Sequence, residues 1–401
     1  MMLKKMKNQK IILGVVVIPI LIWWIGERFG IFQGKELQSG EVVSVSDQEK
    51  TNNTKVERKD FELKVVAENL NIPWSAVFTS PERLLVAERP GNVIVYENGN
   101  RVTDTLHTFE AVSSQSEEGL MGMVLDPSYQ ENKYIYFGYA YQDNGKQAVR
   151  IVRLTDEGNA LTNEKTIIEG IPAAQYHAGT RIAFGPDQKL YITTGDATDK
   201  STPQNLESLG GKILRLNADG TVPEDNPFEG KAVFSYGHRN SQGIAWDTGT
   251  GEMYATEHGP TIFDGPAGGD EINHIMPGAN YGWPLVSHKE KLKDTEEPML
   301  LFTPAVAPGG MLFYTGTQLP QFTNTLLFAG LKGEGLYQVA LKENDPGEVD
   351  TFQKIEGIDV GRIRDVFQGP DGSLYIMTSN TDGRGKASAG DDKIYKLEVK
   401  Q

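Results

Sequence analysis

A unit of two short strands joined by a glycine-containing turn recurs six times along the chain, and it constrains the fold more than any other feature. Within the copies, apolar and polar residues alternate as they do in half-buried strands. The copies begin roughly 45–75 residues apart, the spacing of propeller blades built from four short strands. Their first residues are Pro81, Asn132, Pro186, Gly251, Asn324 and Pro370.

The repeat predicts an all-β fold, a six-bladed β-propeller of four-stranded blades, over residues 61–401. The sequence has no long stretch of helical periodicity, and its 44 Gly and 20 Pro fit many short elements joined by turns. A pair of β-sandwiches and an irregular β-solenoid are the alternatives. In a propeller, functional residues are expected in the loops at one mouth of the central channel.

The first 60 residues differ from the rest of the chain. Four lysines in the first ten residues precede an uncharged, apolar run over 11–26 that ends near Trp23 and Trp24. This pattern predicts an N-terminal apolar anchor or signal peptide over 1–32 and a polar linker over 33–60. An uncleaved membrane anchor is the first interpretation, because the paired Trp suit a membrane interface and no small-x-small cleavage site follows directly. A cleaved signal and a buried helix are the alternatives.

The charge pattern predicts where the protein works and what it does not bind. Basic residues before the apolar run place the rest of the chain outside the cytoplasm, at the cell surface or in the periplasm. The formal net charge of −15 repels phosphate backbones, so nucleic acid is not an expected partner. The chain has no Cys, which excludes disulfides, thiolate metal sites and a cysteine nucleophile.

One polar cluster contains a candidate base. His177 lies just before a predicted strand and Asp196 just after the next one. Two antiparallel strands joined by the turn at 185–188 would bring these ends together. The carboxylate would then orient the imidazole and raise its basicity. A lone structural histidine is the alternative.

Two further clusters follow along the chain. Arg239 and Asn240 come after a short predicted strand, in a turn that we expect to be exposed. The segment that includes Asp270 and Glu271 is rich in Gly, Pro and acidic residues, and it offers the hard oxygen ligands that calcium prefers. It is not an EF-hand loop, and an ordinary acidic loop is the alternative.

A fourth cluster is basic. Arg362 and Arg364 are two positions apart, so in a strand their side chains would point to the same side, and Lys332 belongs to an earlier blade. Cations gathered in an acidic chain suggest an anionic ligand, because Arg suits carboxylates. Salt bridges between blades are the alternative.

These clusters, in this order, resemble the PQQ-dependent glucose and sorbosone dehydrogenase family, where PQQ is pyrroloquinoline quinone. The resemblance runs from near Asn71 to the last strand. No single motif is specific, but the ordered set is. The motifs are GLMGMVLDP, HAGTRIAFGPDQKLYITTGD, YGHRNSQGIAWD, EHGP, GGDEIN, GANYGWP and GRIRDV.

The resemblance implies a quinoprotein aldose dehydrogenase that oxidises the C1 hydroxyl of a sugar to a lactone by hydride transfer to PQQ. His177 matches the general base and Asp196 its carboxylate partner. Arg239 matches the arginine beside the quinone oxygens. The remaining cofactor positions match Glu117, Asn240, Lys332, Arg362 and Arg364.

The resemblance also implies calcium. Gly259 and Pro260 match the carbonyl ligands of the calcium that bridges to PQQ. Glu271 and Tyr281 match ligands of a second, structural calcium. One position departs from the family pattern: Glu117 stands where a Gln is usual, and a carboxylate there would be awkward beside an anionic cofactor.

Two other functions compete with the dehydrogenase. A calcium-dependent propeller hydrolase, such as a lactonase, would not need the basic cluster. A non-enzymatic surface propeller that binds a glycan or a protein would not need the His177–Asp196 pair. The sequence leaves open which sugar is oxidised, whether a quinone or a cytochrome accepts the electrons, and whether the chain forms a homodimer.

Overall fold

The computed structural model describes residues 61–102 and 105–400. In these ranges the secondary structure is almost entirely β, as predicted, with one short helix (α1, Tyr129–Asn132) and one 3₁₀ helix (Pro320–Phe322). None of the helices described there is long and apolar enough to cross a membrane. The predicted anchor or signal over 1–32 and the linker over 33–60 lie outside the described residues.

The strands form six antiparallel sheets, which are the six predicted blades. Blade I contains β2 (Pro73–Ser80), β3 (Arg83–Glu88), β4 (Asn92–Glu97), β5 (Asn100–Arg101) and the short β6 (His107–Thr108); blade II contains β7 (Leu120–Leu125), β8 (Tyr134–Asp143), β9 (Lys146–Asp156) and β10 (Leu161–Pro172); blade III contains β11 (Ile182–Phe184), β12 (Leu190–Thr193), β13 (Lys212–Leu216) and β14 (Val233–Tyr236). Blade IV contains β15 (Ser241–Trp246), β16 (Met253–Glu257), β17 (Asp270–Ile275) and β18 (Leu300–Phe302); blade V contains β19 (Pro308–Tyr314), β20 (Thr325–Gly330), β21 (Gly335–Lys342) and β22 (Asp345–Lys354); blade VI contains β23 (Ile363–Gln368), β24 (Leu374–Thr378), β25 (Ile394–Val399) and β1 (Phe61–Ala67).

Each copy of the sequence repeat corresponds to the middle of a blade. The turn that opens a copy joins the first strand of a blade to the second, or directly precedes the second, as at Pro81 between β2 and β3 and at Pro370 between β23 and β24. The two apolar strands of the copy are therefore the second and third strands. These strands are flanked on both sides by neighbours in the sheet, which explains why their apolar pattern is the clearest in the sequence.

Blade VI combines the two ends of the described chain. Its three inner strands come from the C-terminal part, and β1 pairs antiparallel with β25, with Phe61 opposite Val399 and Lys64 opposite Lys396. This pairing closes the ring of sheets and covers the edge of β25, which would otherwise present unpaired backbone groups.

The hydrophobic core lies between neighbouring blades. One cluster joins blade I to blades II and III through Trp74, Tyr136 and Ile192, all at most 2% exposed. Another joins blades V and VI and includes Phe61, whose ring lies 6.3 Å from that of Phe322. Each blade thus depends on its neighbours to bury its faces.

The strand order also determines where function can concentrate. In an antiparallel blade, the start of the first strand, the end of the second and the start of the third all lie at the same end of the sheet. We call this end of the ring the mouth. His177, Arg239 and Arg362 precede first strands, and Asp196 and Lys332 follow second strands, so all five lie at the mouth.

The closing strand yields the first prediction. Phe61→Ala should destabilise the full chain by about 3–5 kcal/mol, because it leaves a cavity in the core between blades V and VI. Val65→Ala on the same strand is the matched control. Val65 is 45% exposed, so its substitution should change the free energy of unfolding by less than about 0.5 kcal/mol. Thermal and urea unfolding measure both; equal effects of the two substitutions would contradict a closing role for the buried face of β1.

Candidate active site at the mouth of the propeller

His177 and Asp196 are in direct contact. Nδ1 of His177 lies 2.8 Å from Oδ1 of Asp196, and the Asp196 side chain is only 2% exposed. Asp196 also accepts a hydrogen bond from Nε1 of Trp283 at 2.8 Å and one from the Thr198 backbone N–H at 2.7 Å. With these donors around it, the carboxylate is held in one orientation. When the carboxylate accepts a hydrogen bond from Nδ1–H, Nε2 of His177 is left as the basic nitrogen.

The backbone around this pair requires unusual residues. His177 has a φ of +58°, in the left-handed region that few non-glycine residues adopt. A Cβ atom on residue 195 would lie 1.7 Å from the His177 carbonyl oxygen, so only glycine fits there. This close approach of two backbone segments brings the base and its carboxylate within hydrogen-bonding distance.

Arg239 and Asn240 belong to the same site. The Asp196 backbone N–H donates to the Arg239 carbonyl at 2.8 Å, and the Gly179 N–H donates to Oδ1 of Asn240 at 3.1 Å. The blade IV residues are therefore bonded to both segments that carry the base pair. An equivalent contact pairs Gly195 with Asn240 as an isolated β-bridge.

The expectation that Arg239 and Asn240 lie in an exposed turn is wrong. Arg239 is 3% exposed and Asn240 is fully buried. Surrounding acceptors explain why a buried cation is tolerated. Nε of Arg239 donates to Oδ2 of Asp264 at 2.9 Å, Nη1 donates to the His258 carbonyl at 3.1 Å, and the Arg239 backbone N–H donates to the Glu257 carboxylate.

The basic cluster is divided between two sets of partners. The expectation that Arg362 and Arg364 share a strand face is wrong, because Arg362 precedes β23. Arg362 forms an ion pair with Asp382 at 2.8 Å, whereas Nη1 of Arg364 donates to Oε1 of Gln242 in blade IV at 3.0 Å. Lys332 is exposed at the mouth, and its ammonium group has no ion-pair partner among the described residues.

A cross-channel ion pair that the sequence did not reveal lies beside these arginines. Nη1 of Arg181 in blade III donates to Oδ2 of Asp365 in blade VI at 2.9 Å, and blades III and VI are opposite each other in the ring. The Trp74 ring lies 4.4 Å from the Arg181 guanidinium and 5.6 Å from that of Arg364. These side chains join opposite blades across the channel with buried, positively charged groups.

Several buried donors here have no acceptor among the described residues. They are Nδ2 of Asn240, Nε of Arg364 and Nη2 of Arg181. Burial lowers the pKa of the Arg364 guanidinium to about 10, and Arg362 and Arg181 act in the same direction, against nearby carboxylates. An anionic ligand with several oxygen acceptors would relieve both the unsatisfied donors and the cation–cation repulsion. The residues present therefore fit an anion such as PQQ.

Glu117 lies next to the base. Its Oε1 accepts a hydrogen bond from Nη1 of Arg384 at 2.5 Å, and its Oε2 lies 3.4 Å from the His177 backbone N–H. Burial alone would raise the pKa of the Glu117 carboxyl, but Arg384 and two histidines outweigh it and lower the pKa. The neighbouring Glu118 is turned inward and accepts backbone hydrogen bonds from residues 115 and 116.

The predicted calcium residues share one small cavity, whose lining includes Gly259, Pro260, Glu271 and Tyr281. No described N–H or O–H group donates to the Gly259 carbonyl, and the Pro260 carbonyl accepts one hydrogen bond, from Gly268 at 3.2 Å. A Cβ on residue 259 would lie 2.3 Å from the Gly268 and Gly269 carbonyl oxygens, so only glycine fits between them.

Two carboxylates share this cavity. Burial, and then the neighbouring Glu257, raise the pKa of Glu271 to about 8. The Tyr281 ring stacks on His238 at 4.6 Å, and its hydroxyl donates to the His274 carbonyl at 2.6 Å, so only its backbone oxygen is free for a ligand. Among the described residues, no three His, Asp or Glu side chains converge as a metal site. A cation here would depend on backbone carbonyls as much as on carboxylates.

Sequence reasoning did not assign Trp283, His258 and Arg384. Trp283 and His258 lie inside the motifs GANYGWP and EHGP. The motifs therefore indicated this region, but residue spacing alone did not identify these two side chains as part of the site. The His258 ring contacts the Pro308 carbonyl at 3.0 Å, and burial lowers its pKa. Arg384 lies in a Gly-rich loop with no motif, and only the fold brings it to Glu117.

Comparison with known proteins agrees with this geometry. Residues 70–388 match the Glucose / Sorbosone dehydrogenase family. The chain is 31% identical to the aldose sugar dehydrogenase YliI of Escherichia coli, over 80% of this chain and 91% of that protein. It is 28% identical to quinoprotein glucose dehydrogenase B of Acinetobacter calcoaceticus, over 81% of this chain and 86% of that protein.

A solved structure is similar over nearly its whole length. The aldose sugar dehydrogenase of Streptomyces coelicolor, in its PQQ-bound form, is 36% identical and superposes with a TM-score of 0.73, covering 85% of this chain and 99% of that one. The family match extends from blade I to the loop of blade VI that contains Arg384, and so includes every residue of the candidate site. The chain is a member of the glucose/sorbosone dehydrogenase family.

Proposed function

We propose that this protein is a PQQ-dependent aldose dehydrogenase that oxidises the C1 hydroxyl of a sugar to a lactone. The observation that carries the proposal is the bonding of the His177–Asp196 pair to a buried, cationic site within one mouth. A base and an anion site together suit a reaction that removes a proton from a hydroxyl group and a hydride from the carbon that bears it. The dehydrogenases named above support the same chemistry.

The residues of the site have three roles: proton transfer, stabilisation of developing charge and cofactor binding. Nε2 of His177 takes the proton from the C1 hydroxyl, and Asp196 stabilises the imidazolium that forms. PQQ, when bound, supplies the two-electron acceptor for the C1 hydride. Arg239 and Asn240 would offer hydrogen-bond donors to the oxygens of the bound cofactor, which gain negative charge on hydride transfer. Lys332, Arg362 and Arg364 would hold the carboxylates of the anionic cofactor.

Proton transfer to His177 gives the second prediction. His177→Ala should lower the rate of PQQ-dependent dye reduction with aldoses by about 10²–10⁴-fold, the usual contribution of a general base. His107→Ala, on the short strand β6 at the outer edge of blade I, is the matched control and should keep the wild-type rate. The assay uses the purified full chain with calcium, added PQQ and a panel of aldoses. A wild-type protein that neither turns over nor binds PQQ would contradict the proposed function.

We also propose that the Gly259 and Pro260 carbonyls ligate a calcium near the cofactor, and that Glu271 and the Tyr281 carbonyl ligate a second, structural calcium in the cavity that these residues line. The free Gly259 carbonyl and the adjacent carboxylates of Glu257 and Glu271 support this assignment, because hard oxygen ligands suit calcium. A divalent cation between the two carboxylates would remove their repulsion. Calcium beside the cofactor would act as a Lewis acid.

Calcium binding gives the third prediction. Calcium at about 100 times its Kd should stabilise the chelator-treated protein by about 2.7 kcal/mol, seen as a higher Tm. Glu271→Gln should remove most of this response, whereas Glu62→Gln, an exposed carboxylate on β1, should leave it unchanged. Differential scanning calorimetry with and without calcium makes the comparison. An undiminished response in Glu271→Gln would remove Glu271 from the ligand set.

We further propose that the protein is exported and held at the membrane by residues 1–32. The lysines before the apolar run over 11–26 support this orientation. In cells that express the full chain, the protein should fractionate with membranes, and protease added outside the cytoplasmic membrane should cleave it. A chain without residues 1–32 should stay in the cytoplasm. Recovery of the full chain in the cytoplasmic fraction would contradict the proposal.

A further inference from the structure

An ion pair links two loops that are far apart in the sequence and close together at the mouth. Nη1 of Arg384 donates to Oε1 of Glu117 at 2.5 Å, across 267 positions of the chain. Glu117 precedes the first strand of blade II, and Arg384 lies between β24 and β25 of blade VI. Because blade I stands between these blades, the pair spans the mouth end of a whole blade.

The Arg384 side of the pair is connected through Asp382 to Arg362, one of the cations proposed to hold PQQ. Asp382 accepts the Arg384 backbone N–H with Oδ1 at 2.9 Å and binds Arg362 with Oδ2 at 2.8 Å. The Asp382 side chain is only 4% exposed, so a buried ion pair with Arg362 fixes this loop. Arg384 also lies over the Tyr176 ring at 5.8 Å. The guanidinium is thus held at one place on the rim.

The Glu117 side of the pair is anchored to the base. Its second oxygen faces the His177 backbone N–H at 3.4 Å, and its own backbone N–H donates to the Gln175 carbonyl at 3.0 Å. Glu117 is therefore a carboxylate fixed within contact distance of the residue that would meet the substrate. A negative charge at this point would repel an anionic cofactor unless a cation neutralises it.

We infer that Arg384 is a positioning residue whose ion pair with Glu117 neutralises that carboxylate and holds it toward blade VI, so that the anionic PQQ can bind beside it. This inference rests on the proposed function. Arg384 acts through Glu117 and not by contact with the cofactor. The carboxylates of the cofactor would instead be bound by Lys332, Arg362 and Arg364.

The surrounding charges agree with this assignment. The Glu117 carboxylate raises the pKa of Arg384 against the effect of burial, so both partners stay ionised. Arg89 lies near the same acids, yet among the described residues its buried Nε has no acceptor and its guanidinium forms no hydrogen bond with Glu117. Arg384 is the cation that contacts the Glu117 carboxylate.

The test is a double-mutant cycle on PQQ affinity. PQQ is titrated into the full chain, in the presence of calcium, for the wild type, Arg384→Gln, Glu117→Gln and the double variant, with binding followed by tryptophan fluorescence. Arg384→Gln should weaken binding about tenfold in the wild-type background, since it leaves Glu117 charged and unpaired. In the Glu117→Gln background the same substitution should change the affinity less than about threefold.

Equal weakening in both backgrounds would overturn the inference, because Arg384 would then act on the cofactor or the fold directly. No weakening in either background would also overturn it. Arg101→Gln, which removes a cation from the outer strand β5, is the matched control and should not change the affinity. A wild-type chain that binds no PQQ would instead contradict the proposed function. Failure of the proposed function is therefore distinguishable from failure of the inference about Arg384.

Discussion

The pairing of β1 with β25 is the constraint on which the rest of the structure depends. It makes one blade from the two ends of the described chain and so closes six sheets into a ring. Closure brings the starts of all six first strands to one mouth, and it places blades III and VI opposite each other, where Arg181 and Asp365 meet. Without closure, Arg384 of blade VI would have no fixed relation to Glu117 of blade II.

Within that frame, Asp196 organises the chemistry. Its buried carboxylate accepts hydrogen bonds from Trp283 and the Thr198 backbone and contacts His177, and the Asp196 backbone N–H donates to the Arg239 carbonyl. The glycine at position 195 allows this, because a side chain there would collide with the His177 carbonyl. The His177–Asp196 contact forms within blade III, whereas the Arg181–Asp365 and Glu117–Arg384 ion pairs join different blades. Because both kinds of contact are present, the base keeps a fixed position relative to the cofactor site.

The difference between contacts within a blade and contacts between blades also explains what the sequence could predict. The strand repeat gave the number of blades, and the antiparallel hairpin between β11 and β12 was enough to bring His177 to Asp196. Burial of Arg239 and Asn240 was missed, because the acceptors for Arg239, Asp264 and Glu257, and the Gly179 N–H that donates to Asn240 lie in other parts of the chain. The strand-face argument for Arg362 failed since strand β23 begins one residue later. Contacts across the ring depend on closure, which no local pattern encodes.

The central claim is that Asp196 holds the His177 ring with Nδ1 protonated and Nε2 free to take the substrate proton. Nitrogen NMR of the full chain with ¹⁵N-labelled histidine reads this directly, and Asp196→Asn identifies the His177 signals among the six histidines. The account predicts that neutral His177 carries its proton on Nδ1 and that this preference is lost in Asp196→Asn. A His177 ring protonated on Nε2 in the wild-type protein would contradict it.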